Sequence, residues 1–337
     1  MTMCVGLTPG RMRPAAPART SPVLAAARGV PAAPSRWLPA AAVYVMTAMV
    51  LGLALAVAPA AGQVYPQTDQ SIAPAYEGWE QNEDGTFNLV FGYMNRNWDQ
   101  ELDVPIGPGN RLDPGGPDRG QPTHFQPRRN RHVFRVRVPA DFGDGEVVWT
   151  LTSNGQTERA YATLHPDYFL NDIAIMNNNG AGGPAGGAYN IFGNERPVLD
   201  VEGDSVREVR VGEPVVLTAV ASDDGVPKRR AMPPPSWRLG RGGAGTPNSA
   251  SGLRVAWIVY RGEDRVTFDP PQFEVWEDYR EGADSPWAPG WAPPEVPEDG
   301  NWVVHATFSE PGTYVLRCLA HDGGLAVHED VTVTVSP

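Results

Sequence analysis

Alternation of apolar and polar side chains is clearest near the end of the chain, in residues 309–322. A Pro311-Gly312 turn feeds a stretch in which Tyr314, Leu316, Cys318 and Ala320 share one face. Val315, Arg317, Leu319 and His321 take the other, as side chains on a strand must. Asp322-Gly323-Gly324 turns the chain, and residues 328–335 return as a second strand. With Gly324 and Leu325 as the turn centre, Cys318 faces Val331, Leu316 faces Val333 and Tyr314 faces Val335. That register sets apolar against apolar at each inward pair. It also sets His321 opposite His328 on the outer face, where both would be solvated.

The same period runs back through the chain. Phe87, Leu89, Phe91 and Tyr93 alternate with Asn88, Val90, Gly92 and Met94, and a shorter strand is expected over 101–106. Residues 107–122 are rich in Gly, Pro and Asp and read as a long loop. His132, Phe134, Val136 and Val138 share a side of the next strand, and Val147, Trp149 and Leu151 belong to the one after. Asn154-Gly155 is a strong hairpin signal, with 156–164 pairing back. No helical period of useful length appears. Residues 76–170 therefore predict a small β-sandwich after an extended tether over 63–75. Residues 171–196 are a Gly/Asn-rich linker, and 197–337 a second β unit. In that unit 209–214 turn into a strand over 215–221, Trp257 lies on a strand over 253–260, and another strand covers 302–308. Segments 226–252, rich in Pro, Gly and Arg, and 269–300, rich in Pro, Trp and acid, lack a core pattern and are expected as disordered insertions. The fold class is all-β: two small β-sandwiches behind an N-terminal hydrophobic segment.

Residues 197–337, without the insertions, resemble a bacterial immunoglobulin-like or PKD-type domain. The resemblance rests on Val211-Gly212-Glu213-Pro214-Val215-Val216-Leu217-Thr218-Ala219, Trp257, Pro311-Gly312-Thr313-Tyr314 and Val331-Thr332-Val333-Thr334-Val335. It implies a sandwich with Trp257 packed between the sheets and Tyr314, Leu316 and Cys318 in the core. It also places Cys318 where antibody domains carry their inter-sheet disulfide, although the facing strand offers only Leu217 and Ala219. The Trp-Asp-Phe-Gly-Asp-Gly signature of PKD repeats is absent. Such domains imply adhesion, spacing or binding rather than a reaction. The first unit resembles domains of uncharacterised exported proteins.

Destination comes from the other end. Residues 1–36 carry Arg11, Arg13, Arg19, Arg28 and Arg36 and no acid, and an Ala/Leu/Val run ends at Ala58-Pro59-Ala60-Ala61-Gly62. That layout is a secretory signal over 1–62. The alternative is an uncleaved anchor through residues 38–61, which would be the protein's one attachment to a membrane. Export to the periplasm or the exterior follows from either. The whole chain carries −12, and removing the five leader arginines leaves about −17, a surface that disfavours nucleic acid. Cys4 lies in the leader, so the mature chain holds the single thiol of Cys318.

Candidate chemistry is sparse. Asp223, Asp224 and Asp322 close loops that an immunoglobulin topology puts at one end, near the linker, where they could hold Ca²⁺; Asp is equally an ordinary turn residue. No other cofactor is expected. Arg131, Arg135 and Arg137 project from one strand face beside Arg128 and Arg129, either as a dock for an anionic glycan or phosphate or, by preference, as cross-strand partners of acids. Trp276, Trp287 and Trp291 could stack on sugars or fold back as a lid. No His-Glu-x-x-His, Gly-x-Ser-x-Gly, phosphate-cradling loop or Cys-x-x-Cys occurs. The expectation is a non-catalytic binding, adhesion or spacer protein of the cell envelope, with an unknown protein or glycan as partner. A carbohydrate-binding accessory module and a hydrolase of unrecognised type are the alternatives.

Overall fold

Strands of the first unit divide between two facing sheets because alternate side chains seek one core. The computed structural model describes residues 67–180, 191–234, 249–263 and 265–337. The leader, the apolar run, linker residues 181–190 and the centre of the 226–252 segment lie outside the described residues. One sheet orders β1 (Ile72–Gln81), β2 (Phe87–Asn95) and β6 (Arg128–Val138) as β1-β2-β6. The other orders β4 (Asn110–Asp113), β7 (Val147–Ser153) and β8 (Gln156–Ala162) as β4-β7-β8. Two-residue strands β3 (Leu102–Asp103) and β5 (His124–Phe125) pair beside them. Leu89, Phe91, Phe134, Trp149 and Leu151 fill the gap, with Phe91 stacked on Phe134 at 5.2 Å and Trp149 set edge-on to both. At the β7–β8 hairpin Asn154 and Gly155 take φ of 45° and 73°, the two positive values a two-residue turn requires.

Two expectations for this unit change. The strand begins at Ile72 rather than Tyr76, because Ile72 is fully buried and its N–H donates to Ser153 Oγ at 2.8 Å. The expected loop over 107–122 contains β4. Leu112 enters the core there, and buried Asn110 accepts from Trp149 Nε1 at 3.0 Å while its amide donates to the carbonyls of Val104 and Pro122.

β6 is not one regular strand. Its pairing with β2 skips between Phe91↔Phe134 and Tyr93↔Asn130, and His132 takes φ 53° at the bulge. His132 therefore leaves the core face that Phe134, Val136 and Val138 keep. Gly92 is required opposite the bulge, since a Cβ there would collide with the Glu77 carboxylate and the Asn130 carbonyl.

The second unit is a sandwich of β9 (Val198–Val201), β10 (Val206–Arg210), β11 (Pro214–Ser222), β12 (Arg254–Arg261), β13 (Val266–Asp269), β14 (Asn301–Phe308), β15 (Gly312–His321) and β16 (Ala326–Ser336). One sheet runs β10-β16-β15-β12 and the other β13-β14-β11-β9, with β10 parallel to β16. In chain order these are the A′GFC and DEBA sheets of an immunoglobulin-like sandwich. Trp257 is 1% exposed on the third long strand, next to Cys318 across the β12–β15 ladder. The Tyr314 hydroxyl returns to the Glu310 carbonyl at 3.0 Å, the contact of a tyrosine corner. Counting two residues on from that corner puts Leu316, not Cys318, at the disulfide position of antibody domains.

The terminal hairpin keeps its faces but not its expected register. Tyr314 pairs Val333, Leu316 pairs Val331 and Cys318 pairs Glu329, a shift of two residues. Asp322 causes it. Its Oδ1 accepts the N–H groups of Gly324 and Leu325, and Gly323 turns with φ 104°, so the turn centres on Gly323-Gly324. A shift of two returns each side chain to its own face, and Tyr314, Leu316, Cys318, Val331 and Val333 all remain in the core.

Two segments expected to lack structure have it. Asp172–Asn178 forms a short helix, α1, started by the Asn171 side chain on Ala174 N–H, and its Ile175 and Met176 pack with Ile191 and Leu325. Within residues 269–300, Glu277, Asp278, Ser285, Trp287 and Ala288 are buried, so this insertion is a packed strap. Irregular backbone is satisfied there locally, as where Ser285 Oγ bonds the Trp276 carbonyl at 2.7 Å.

Cys318 is fully buried, and burial pushes its thiol pKa up. A thiol reagent should label the native protein only on the timescale of unfolding. Cys318→Ala should cost about 1 kcal/mol. Cys318→Arg should leave no folded protein by circular dichroism, since it buries an unpaired charge.

Candidate functional site

Around Arg317 the outer face of β15 meets β6 rather than solvent. Arg317, 6% exposed, pairs with Asp330 through Nε and Nη2 at 2.7 and 2.8 Å, while its Nη1 donates to the Val133 carbonyl of β6 at 2.6 Å. Its guanidinium lies 3.5 Å from the Tyr260 ring centroid. Beside it the loop before β5 covers the free edge of β12. Thr123 N–H donates to the Tyr260 carbonyl at 3.2 Å, the Tyr260 hydroxyl to the Gly120 carbonyl at 2.5 Å, and Arg261 to Asp118 at 2.8 Å. The 269–300 strap closes a third side. Glu277 pairs with Arg131, Arg280 with Asp99 at 2.8 Å, and Tyr279 meets the buried Trp98 edge-on. Arg128 and Arg280 both lie over that Trp98 ring, at 4.0 and 4.9 Å.

These contacts leave a cavity of about 120 Å³ between the sandwiches. Arg129, Arg131, Arg135, Arg196 and Arg317 line it, and among the described residues no Asp or Glu does. The acids stand behind the arginines: Glu77 holds Arg129 at 2.7 Å, Glu80 holds Arg135 at 2.8 Å, and Asp172 holds Arg196 at 2.6 Å. Four histidines complete the wall, and their surroundings divide them. Burial, followed by Arg135 and Arg131, pushes His132 down to about 3, and its Nε2 is buried with no hydrogen-bond partner among the described residues. Burial and then Arg254 hold His321 well below its usual value, and its Nδ1 accepts Gly323 N–H at 2.8 Å. Burial, then Arg317, lowers His328 to about 4. Burial opposes charge on His124 too. There, hydrogen bonds to Asp103 (2.8 Å) and Glu101 (3.0 Å) win and raise it to about 9. Glu77 is raised by its burial despite Arg129.

The residues singled out from sequence are distributed as follows. Arg129, Arg131 and Arg135 reach the cavity; Arg137 pairs outside with Asp84, and Arg128 covers Trp98. The five do not share one face, because the bulge at His132 breaks the alternation. His321 and His328 are half-buried in the cavity wall beside β6 rather than fully solvated, and His321 pairs with Ala326. Trp287 is 6% exposed against the cavity. Trp291 packs on Phe273 at 5.3 Å and donates to Asp284 at 2.7 Å, and Trp276 is half-buried. Asp322 is fully buried, with Asp223 and the Asn194 side chain its polar neighbours, and its Oδ2 makes no hydrogen bond. Asp224 spends both oxygens on the N–H groups of Val226 and Glu195. Among the described residues no group of three or more His, Cys, Asp and Glu is arranged to hold a metal ion. His124 with its two acids escaped the sequence, since Glu101-x-Asp103 and a histidine far downstream form no spacing motif.

Class follows from the strand order: a tandem β-sandwich protein whose second unit has the sheet topology of an immunoglobulin-like fold. No family model matches the sequence, and no curated protein does. Solved structures similar to it include domains 4 and 5 of the S-layer protein SbsC, at 10% identity and TM-score 0.21, covering 58% of this chain and 66% of that one. The fibronectin(III)-like modules of Clostridium thermocellum CbhA match at 9% identity and TM-score 0.21, covering 79% and 94%. The N-terminal eight immunoglobulin domains of Down Syndrome Cell Adhesion Molecule match at 10% identity and TM-score 0.22, covering 79% and 27%. The strand order above, not these distant likenesses, carries the assignment. Among the described residues no helix is long and apolar enough to cross a membrane.

Two titrations are expected. His124 is raised from 6.5 to about 9, so its ion pairs stabilise the fold fully below pH 6.5 and are lost as pH rises through 9. Chemical denaturation from pH 6 to 10 should show this loss, at most about 3 kcal/mol, and His124→Gln should flatten it. Asp322 has the opposite sense. Burial raises it from 3.8 to about 6, so its charged form costs stability above that pH. The stability of Asp322→Asn relative to the native protein should rise by up to about 3 kcal/mol between pH 4 and 7. An advantage that appears only with chelator would mean that Ca²⁺ neutralises the site.

Proposed function

We propose that this chain is an exported, non-catalytic protein of the cell envelope that binds or spaces a partner there. The observation that carries the reading is the junction. Arg317, Tyr260, Arg261 and the 269–300 strap join the sandwiches by buried and charge-assisted bonds, where a tether alone would leave them free to swing. A body stiff across two sandwiches suits holding something at a fixed distance or presenting a composite surface. The basic leader, apolar run and small-residue site before residue 63 support export to the periplasm or exterior, with retention by 38–61 as the other outcome. A protein or glycan of the envelope is the partner this reading expects. Sugar binding by an aromatic platform is less favoured, because Trp287 is buried and Trp291 is engaged by Phe273 and Asp284.

The test has two arms. Residues 1–62 fused to a reporter active only after export should give signal. The mature chain, offered a panel of ester, glycoside, phosphate and peptide substrates, should turn over none. Reproducible turnover would move the protein among the hydrolases, and a silent reporter would remove the export.

A further inference from the structure

We propose that the cavity between the sandwiches binds one small oxyanion, a phosphate, sulfate or carboxylate group, between the Arg131 and Arg135 guanidinium groups and the His132 ring. The inference goes beyond the spacer reading and does not depend on it. Sign comes first. Among the described residues the wall carries five guanidinium groups and no carboxylate, so an anion is the complementary occupant. The acids that balance Arg131 and Arg135 occupy only some of their donors. Arg131 bonds Glu277 through Nη1 alone among the described residues, and Arg135 bonds Glu80 through Nε and Nη2, which leaves its Nη1.

The second observation is His132. Its Nε2 is buried without a hydrogen-bond partner among the described residues, an arrangement that costs desolvation free energy unless something fills it. The bulge that gives His132 its φ of 53° is what turns the ring out of the core and into this wall. Burial and four neighbouring arginines disfavour a proton on that ring. A bound anion would relieve both the missing bond and the repulsion.

Size and access agree. The cavity has about 120 Å³, several times the roughly 10–15 Å³ that one water needs, and too little for a sugar chain or peptide. The side chains of Arg196 and Arg135 are 34% and 27% exposed, so solvent reaches the site along that side. Because each arginine already has a carboxylate, affinity should be modest, in the millimolar range or tighter.

The experiment is calorimetric titration of the mature chain with sodium phosphate, sodium sulfate and sodium acetate, at ionic strength held constant with chloride. Expected is a saturable heat of unit stoichiometry for at least one anion. Phosphate and sulfate competing while acetate is silent would identify a tetrahedral group; binding of acetate would identify a carboxylate. His132→Phe, which keeps the ring's bulk, should weaken binding about tenfold while the circular dichroism is unchanged. Should that variant not fold, histidine ring resonances of the native protein give the same answer, with His132 shifting along the binding curve. Overturning results are the absence of saturable heat with all three anions, an unchanged affinity in folded His132→Phe, or His132 resonances that stay fixed at saturation.

Discussion

Arg317 reaches from the middle of the second sandwich's outer face to the backbone of the first. A buried guanidinium is tolerated only if its donors are used, and here Asp330, the Val133 carbonyl and the Tyr260 ring use them. Each partner lies on a different element, so satisfying one side chain fixes β6, β12, β15 and β16 against one another. Removing the arginine would leave Asp330 beside a desolvated junction, and replacing Val133's strand would leave one arginine donor without an acceptor. The two sandwiches are therefore coupled through a polar requirement rather than through apolar area alone. Such couplings are exacting in geometry, which is what a fixed spacing between domains needs.

The same junction sorts four histidines by their neighbours. His124 sits between two carboxylates and is held charged, while His132, His321 and His328 face arginines and are held neutral. Burial is the first cause that holds three of them neutral, with arginines adding to it, and only at His124 do two hydrogen-bonded carboxylates overcome it. Positive charge is in this way concentrated on guanidinium groups, whose forks are fixed by acids behind them. The cavity has a mixed wall, apolar over much of its area, and the charged groups among its lining residues are of one sign.

A single irregularity in β6 underlies that wall. Without the bulge, His132 would follow Phe134 and Val136 into the first core, and Arg131 would lie in line with Arg135 and Arg137. The extra residue rotates part of the strand out of phase, and Gly92 opposite gives it room. Local backbone chemistry thus supplies the side chains that the junction uses. The strap over residues 269–300 then seals the site with Glu277 and Trp287, contributed from a segment without periodicity.

Alternation along the chain determined which side chains go inward. Tyr314, Leu316 and Cys318, Trp257, and Leu89 with Phe91 are core residues in the structure as in the pattern, and the Asn154-Gly155 turn lies where its dihedral demand puts it. This held even where the hairpin register moved, because a shift of two conserves faces and the pattern has period two. What covers the outer face was not legible. Arg317, Leu319 and His321 alternate with core residues just as a solvated face would, and period alone does not distinguish water from a neighbouring domain. The register needed Asp322 to bind two N–H groups of its own turn, a choice between near-equal turns made by side-chain geometry. The pairs Arg131–Glu277 and Arg261–Asp118 join residues 146 and 143 positions apart in sequence. Charges so far apart carry no spacing signal. They meet only after both sandwiches exist, so only the tertiary structure decides the site.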